Sequence, residues 1–116
     1  MIFKIATSAD WAATERARSF AGSAHDKADG FIHFSTASQL AETMRLYYAG
    51  QNELVLIAVD DAALGAALKW ERSESRGEDF PHLFADLPLS AVKWKHALVR
   101  DAQGTFVLPD MVFAKA

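Results

Sequence analysis

The sequence predicts an α+β fold, a single domain over residues 1–116 with twisted, mostly antiparallel sheets and two main helices. Three observations carry this expectation. Short apolar or alternating runs outnumber helical patterns, and the helical patterns fall early in the chain. A chain of 116 residues with 51% apolar and 23% charged residues is long enough for one core and short for two. Turn signals of hairpin length separate the last strands.

Ile2 to Ile5 is short and apolar and reads as a first strand. Ser8 is placed to cap a helix from about Ala9 to Phe20, because its hydroxyl can accept an orphan N–H and Asp10 suits the positive end of the helix dipole. Trp11, Ala17 and Phe20 would form its apolar stripe. The stretch from Ala21 to Gly30 is small, polar and glycine-bounded, and reads as a loop. Phe31 to Ser35 is a second strand. Thr36 with Gln39 resembles a capping box that opens a helix carrying Leu40, Met44, Tyr47 and Tyr48 on one buried face, with Gly50 as a left-handed stop. Glu53 to Val59 is apolar on both faces and reads as a central strand. A short helical turn follows from Asp60 to about Leu68, and Lys69 to Arg72 is a short strand. Ser73 to Pro88 is the longest irregular piece, the kind of ordered loop that often carries function. Ala91 to Val99 alternates, with Val92, Trp94, His96 and Leu98 on one face. Asp101 to Gly104 then turns into a last strand, Thr105 to Leu108.

Several function classes are excluded or disfavoured. With no cysteine, disulfides, thiolate zinc sites and a cysteine nucleophile are absent, a composition that fits the cytoplasm. Neither a signal peptide nor an apolar run of membrane-spanning length is visible. The net charge of −3 and scattered basic residues provide no stripe for long nucleic acid. Glycines are isolated, which argues against Rossmann or P-loop nucleotide binding.

Candidate chemistry centres on His33. On a strand it shares a face with Phe31 and Ser35, while Ile32 and Phe34 share the other, evidently apolar face. A mixed face of this kind suits a cleft wall, although spacing alone favours a histidine satisfied within the core. Ser35 is poorly placed as a nucleophile activated by His33, since strand residues two apart stand roughly 6–7 Å apart at the backbone. His82 lies between Phe80-Pro81 and Leu83-Phe84, in a loop that the aromatics could pin down, and reads equally as a lid residue or a site residue. Glu71 stands at the mouth of that loop and reads first as a solvated strand residue. Arg72 and Arg76 could hold an anionic group. His96 is expected on a sheet face and His25 in an exposed loop. A metal site from His33, His82 and a carboxylate such as Asp29 has no supporting spacing motif, and no residue is assigned as a metal ligand.

Three segments together resemble a known family. They are Ile2-Phe3-Lys4-Ile5 leading to Trp11; Asp29-Gly30-Phe31-Ile32-His33-Phe34-Ser35-Thr36 with Gln39; and Phe80-Pro81-His82-Leu83-Phe84 followed by Leu87-Pro88 and Ala91-Val92. With Leu54-Val55-Leu56 and Trp70-Glu71 between them, the chain looks like the bacterial and plant family called domain of unknown function 952, as far as about Leu98. That family's fold is grouped with the ADP-ribosyltransferase-like superfamily, whose members bind NAD in a cleft between two small sheets. The resemblance therefore implies that His33 and Ser35 line such a cleft; Thr36, His82 and Arg76 are further ligand-binding candidates. The strand holding His33 is also similar to the H-x-H-x-S strand of RNA 2′-phosphotransferases. Active members of the superfamily usually hold the nicotinamide ribose with a histidine or arginine on the first core strand; here Lys4 stands near that place, without the planar geometry of those groups. Glu71 is the nearest candidate for the catalytic glutamate. The implied function is binding of NAD or an ADP-ribose-like nucleotide, with NAD as substrate and His33 and Glu71 as the catalytic pair in an enzymatic version. The alternatives are a non-catalytic module for a small molecule or peptide, and a metal-dependent hydrolase.

Overall fold

The computed structural model describes residues 1–114. The first strand, β1 (Ile2–Thr7), leads directly into helix α1 (Ser8–Ala17). Thr7, rather than Ser8, caps this helix: its Oγ1 accepts the Asp10 N–H at 3.1 Å, while the Ser8 hydroxyl donates to the Glu53 carbonyl at 2.9 Å. The helix stops at Arg18, which takes a left-handed φ of 69°, so Ala17 stays exposed. Phe20 reaches the core from a separate strand, β2 (Ser19–Phe20).

The predicted loop before His33 contains a helix, α2 (Ala24–Asp29). Ser23 and Asp26 close a reciprocal cap: Ser23 Oγ accepts the Asp26 N–H at 3.1 Å, and the Asp26 carboxylate accepts the Ser23 N–H at 2.9 Å. Strand β3 (Ile32–His33) follows, then a 3₁₀ turn at Ala37–Gln39 and helix α3 (Leu40–Tyr47). The Gln39 side chain accepts the Thr36 N–H at 3.0 Å, as the capping pattern predicts. Leu40 and Met44 are buried and Tyr48 half-buried, but Tyr47 points out of the core. Gly50 is not left-handed; Tyr48 and Gln51 close the helix end by backbone bonds to Met44 and Tyr48.

Strand β4 (Leu54–Val59) is central, as expected from its two apolar faces, in an antiparallel sheet of order β1-β4-β8, where β8 is Val92–Ala97. A 3₁₀ segment, Asp61–Ala67, connects β4 to β5 (Leu68–Ser73). The stretch expected to be irregular is instead mostly strand: β6 (Glu78–Leu83) pairs with β5 over six residues and also with β3. Pro81 hides this strand in the sequence. Its carbonyl accepts the Phe34 N–H at 3.1 Å, so its nitrogen faces the side from which β3 departs, and no ladder bond is lost there. A short β7 (Leu87–Pro88) pairs with β2, and β9 (Val99–Arg100) pairs with β10 (Phe106–Val107) across the predicted turn. His96 lies exposed on β8, not packed on the sheet face.

Two apolar clusters flank the β1-β4-β8 sheet. One joins Ile2, Ala6, Trp11, Phe20, Ile32, Phe34, Ile57 and Leu83; the other joins Phe3, Ile5, Leu40, Met44, Leu56 and Val112. Besides this shared packing, a backbone bridge joins the two three-stranded sheets. After pairing with β6, the chain of β3 crosses to β1, where Phe3 and Ser35 exchange backbone bonds of 2.8 and 2.9 Å. Among the described residues, no helix is long and apolar enough to cross a membrane.

Candidate functional site

Lys4 sits in the middle of β1, on the face that Ile2 and Ala6 give to the core, and is 3% exposed. A buried ammonium needs a partner, and α2 supplies Asp26, itself 2% exposed. Lys4 Nζ lies 3.0 and 2.8 Å from the two carboxylate oxygens. The same carboxylate accepts from the Ser23 and His33 backbone N–H groups at 2.9 and 3.1 Å and meets His33 Nδ1 at 2.6 Å. Burial alone would push the Asp26 carboxyl up; the His33 hydrogen bond, the Lys4 charge and the Ser23 N–H together outweigh it and hold Asp26 well below the usual carboxylate range. Burial pushes the Lys4 ammonium down, opposed by Asp26.

Gly22 makes this arrangement fit. Its φ is +108°, and a Cβ there would stand 2.9 Å from the Asp26 Cβ. The close approach of the chain to α2 therefore requires glycine.

Asp26 behind Nδ1 fixes the ring of His33 so that Nε2 points outward, 2.9 Å from Asp29 Oδ2. His25 stacks on the same ring with centroids 4.7 Å apart. On its other side His33 meets Phe31 at 4.6 Å, and Phe31 stacks face to face with His82 at 4.0 Å. His82 is held in turn by Glu71, with Nδ1 to Oε1 at 2.7 Å. At the far end, Ser35 and Thr43 hydroxyls bond at 3.0 Å, Arg76 donates to Thr43 at 3.0 Å and to the Gln39 carbonyl at 3.3 Å, and its guanidinium lies 4.5 Å over the Phe80 ring.

These groups converge on one cleft of about 780 Å³ between α2, β3, β6 and α3. Of the candidates read from the sequence, Lys4, His33, Ser35, His82 and Arg76 line it. Lys4 does so with its ammonium already engaged by Asp26. Glu71 reaches the cleft only through His82, and Thr36 is occupied in the turn that carries Gln39, its hydroxyl 3.2 Å from Ser38. The residues that the sequence does not announce are Asp26 and Thr43, together with His25, expected in an exposed loop; Phe31 shares the mixed face with His33 as the alternation predicts. Lys4 alone signals Asp26, since a lysine inside the apolar run Ile2 to Ala6 requires a buried acid somewhere in the fold.

A family model described as "Protein of unknown function (DUF952)" matches residues 5–95. The chain belongs to the DUF952 family. Within that span lie His25, Asp26, His33, Glu71, Arg76 and His82, while Lys4 falls just before it. Protein CC0527 of Caulobacter crescentus, known from a crystal structure, is 43% identical, with 97% of this chain and 98% of that chain covered and a TM-score of 0.90. Its solution structure gives 45% identity over 90% and 89% of the two chains, with a TM-score of 0.80. None of the curated proteins matches the chain.

Proposed function

We propose that this DUF952 cleft binds a nucleotide-like small molecule of the NAD or ADP-ribose class, in an ADP-ribosyltransferase-like arrangement and in the cytoplasm. One observation carries the reading: three recognition surfaces of different chemistry converge on a single concavity of about 780 Å³, within the range typical of ligand sites. The stacked Phe31 and His82 rings suit a planar base. His33, fixed from behind by Asp26, and Ser35 suit ribose hydroxyls. Arg76 uses two of its nitrogens on Thr43 and Gln39, and its remaining donors suit a diphosphate. In this reading Lys4 serves indirectly, by neutralising Asp26, and Thr36 orders the turn beneath Arg76.

The backing of His33 by a buried carboxylate favours a second reading, in which the ligand is also turned over. The acceptor would attack the ribose carbon bonded to nicotinamide, and the C–N bond would break with its electron pair leaving on nicotinamide. His33 and Ser35 would orient the ribose. A carboxylate, Asp29 in the cleft or Glu71 acting beside His82, would stabilise the oxocarbenium-like transition state.

Calorimetry with NAD and with ADP-ribose tests the first reading. Saturable binding is expected, weakened at least about tenfold, or 1.4 kcal/mol, by His33→Ala and by Arg76→Ala. No saturable heat up to millimolar ligand overturns it. Nicotinamide release separates the two readings: release by the wild type that disappears in His33→Ala supports turnover, and binding without release supports a non-catalytic module.

A further inference from the structure

We propose that His25, Asp29 and His33 form a binding site for a zinc-class divalent transition metal at the mouth of the cleft. One ligand atom from each of the three residues lies within 4.8 Å of the others. His33 Nε2 stands 2.9 Å from Asp29 Oδ2, and His25 Nε2 stands 3.6 Å from the same oxygen. Donors bonded to a tetrahedral zinc at ~2.0–2.1 Å are separated by roughly 3.3–3.4 Å, so the two distances bracket the required value. His25 and Asp29 are one helical turn apart on the same face of α2. The His25 side chain, 73% exposed, can rotate to close the remaining gap.

The second observation is what stands behind the ligands. A metal-bound histidine needs one ring nitrogen free to coordinate and the other held by an acceptor. His33 has this arrangement: Nδ1 donates to Asp26 at 2.6 Å, and Asp26 is anchored by Lys4 and the Ser23 N–H. A metal takes the neutral form of this ring, with the proton on Nδ1 and the lone pair on Nε2, and a cation between Nε2 and the Asp29 carboxylate satisfies both; without one, a proton shared there makes the same 2.9 Å contact. Two imidazoles and one carboxylate suit zinc and its neighbours rather than calcium or magnesium, which prefer oxygen ligands. Three protein ligands leave a coordination position for water or an anionic ligand. His82 is not among the ligands, because its ring nitrogens lie outside the cluster that His25, Asp29 and His33 form.

This site shares His33 and Asp29 with the nucleotide reading, so a metal on Nε2 takes the place there of a ribose hydroxyl, and its test needs no nucleotide. Purified full-length protein, stripped with a chelator, is titrated with zinc chloride by calorimetry, and with cobalt(II) by visible absorption. One equivalent of saturable binding is expected, with the absorption of a low-coordinate cobalt site. His25→Ala, an exposed change that leaves the fold intact, is expected to weaken binding at least tenfold, and Asp29→Asn likewise. Asp26→Asn, acting through His33, is expected to cost about 10–100-fold. His96→Ala, which alters an exposed histidine on β8, is the control and is expected to bind as the wild type does. No saturable binding up to millimolar zinc overturns the site, and so does equal affinity in the wild type and His25→Ala, or an equal loss in His96→Ala.

Discussion

At the scale of single residues, the Lys4–Asp26 pair anchors the wall of the cleft behind His33. Both groups are almost fully buried, so removing either leaves the other without its counter-charge. The two losses are unequal. Asp26 keeps three other donors when Lys4 is gone, whereas Lys4 has Asp26 alone among the side chains bonded to it. Asp26→Asn is therefore expected to destabilise by about 3–5 kcal/mol and Lys4→Met by less, as measured by urea denaturation. The pair also sets an acid limit. Folding holds the Asp26 carboxyl below its ordinary value of 3.8, so below about pH 4 the unfolded chain takes up a proton that the folded chain refuses. Its contribution to stability is complete above that pH and falls as the medium becomes more acidic. Denaturation midpoints measured from pH 6 down to pH 3 are expected to drop in the wild type, and by less in a Lys4→Met, Asp26→Asn double variant. The alternation along Phe31 to Ser35 separates the face of His33 from that of Ile32 and Phe34, so its place on the mixed face is legible, while a part in ligand binding comes only from the resemblance. Asp26 is not legible, because its role is defined by Lys4, a partner 22 positions away.

At the scale of elements, α2 is the piece that builds the site and the piece the sequence conceals. Its six residues, AHDKAD, carry no apolar stripe, and its one buried side chain is an aspartate. The cap formed by Ser23 and Asp26 lacks the Glu or Gln that marks such caps most clearly. Strand β6 is concealed for a different reason, since Pro81 and the acidic pair Glu78-Asp79 imitate a loop. Strand β4 needed no context, being apolar on both faces. The seat of α2 depends on Gly22. Gly22→Ala combines a strained positive φ with a 2.9 Å approach to the Asp26 Cβ, and is expected to cost about 1–3 kcal/mol. It should also displace Asp26 and change the His33 imidazole resonances in NMR spectra. Gly77→Ala, where an added Cβ meets nothing within 4 Å, carries only the backbone penalty and should leave those resonances in place.

At the scale of the whole molecule, the C-terminal segment beyond residue 95 lies outside the family match but inside the core, through Leu98 and Val112. Arg100 ties it down. Its guanidinium donates to the carbonyls of Ala49, Gln51 and Gly104 and to the Asn52 side chain, and lies 3.9 Å over the Phe106 ring. Arg100→Ala is expected to cost about 1–3 kcal/mol and to raise amide exchange across β9 and β10 before the β1-β4-β8 sheet is affected.

The crossing between the two sheets has a mechanical consequence. The same few residues that carry His33 on one sheet carry Ser35 on the other, and the joint between them is Phe34. Asp26 grips the residue next to that joint at both its backbone and its ring, and so pins α2 to the stretch of chain that spans the two sheets.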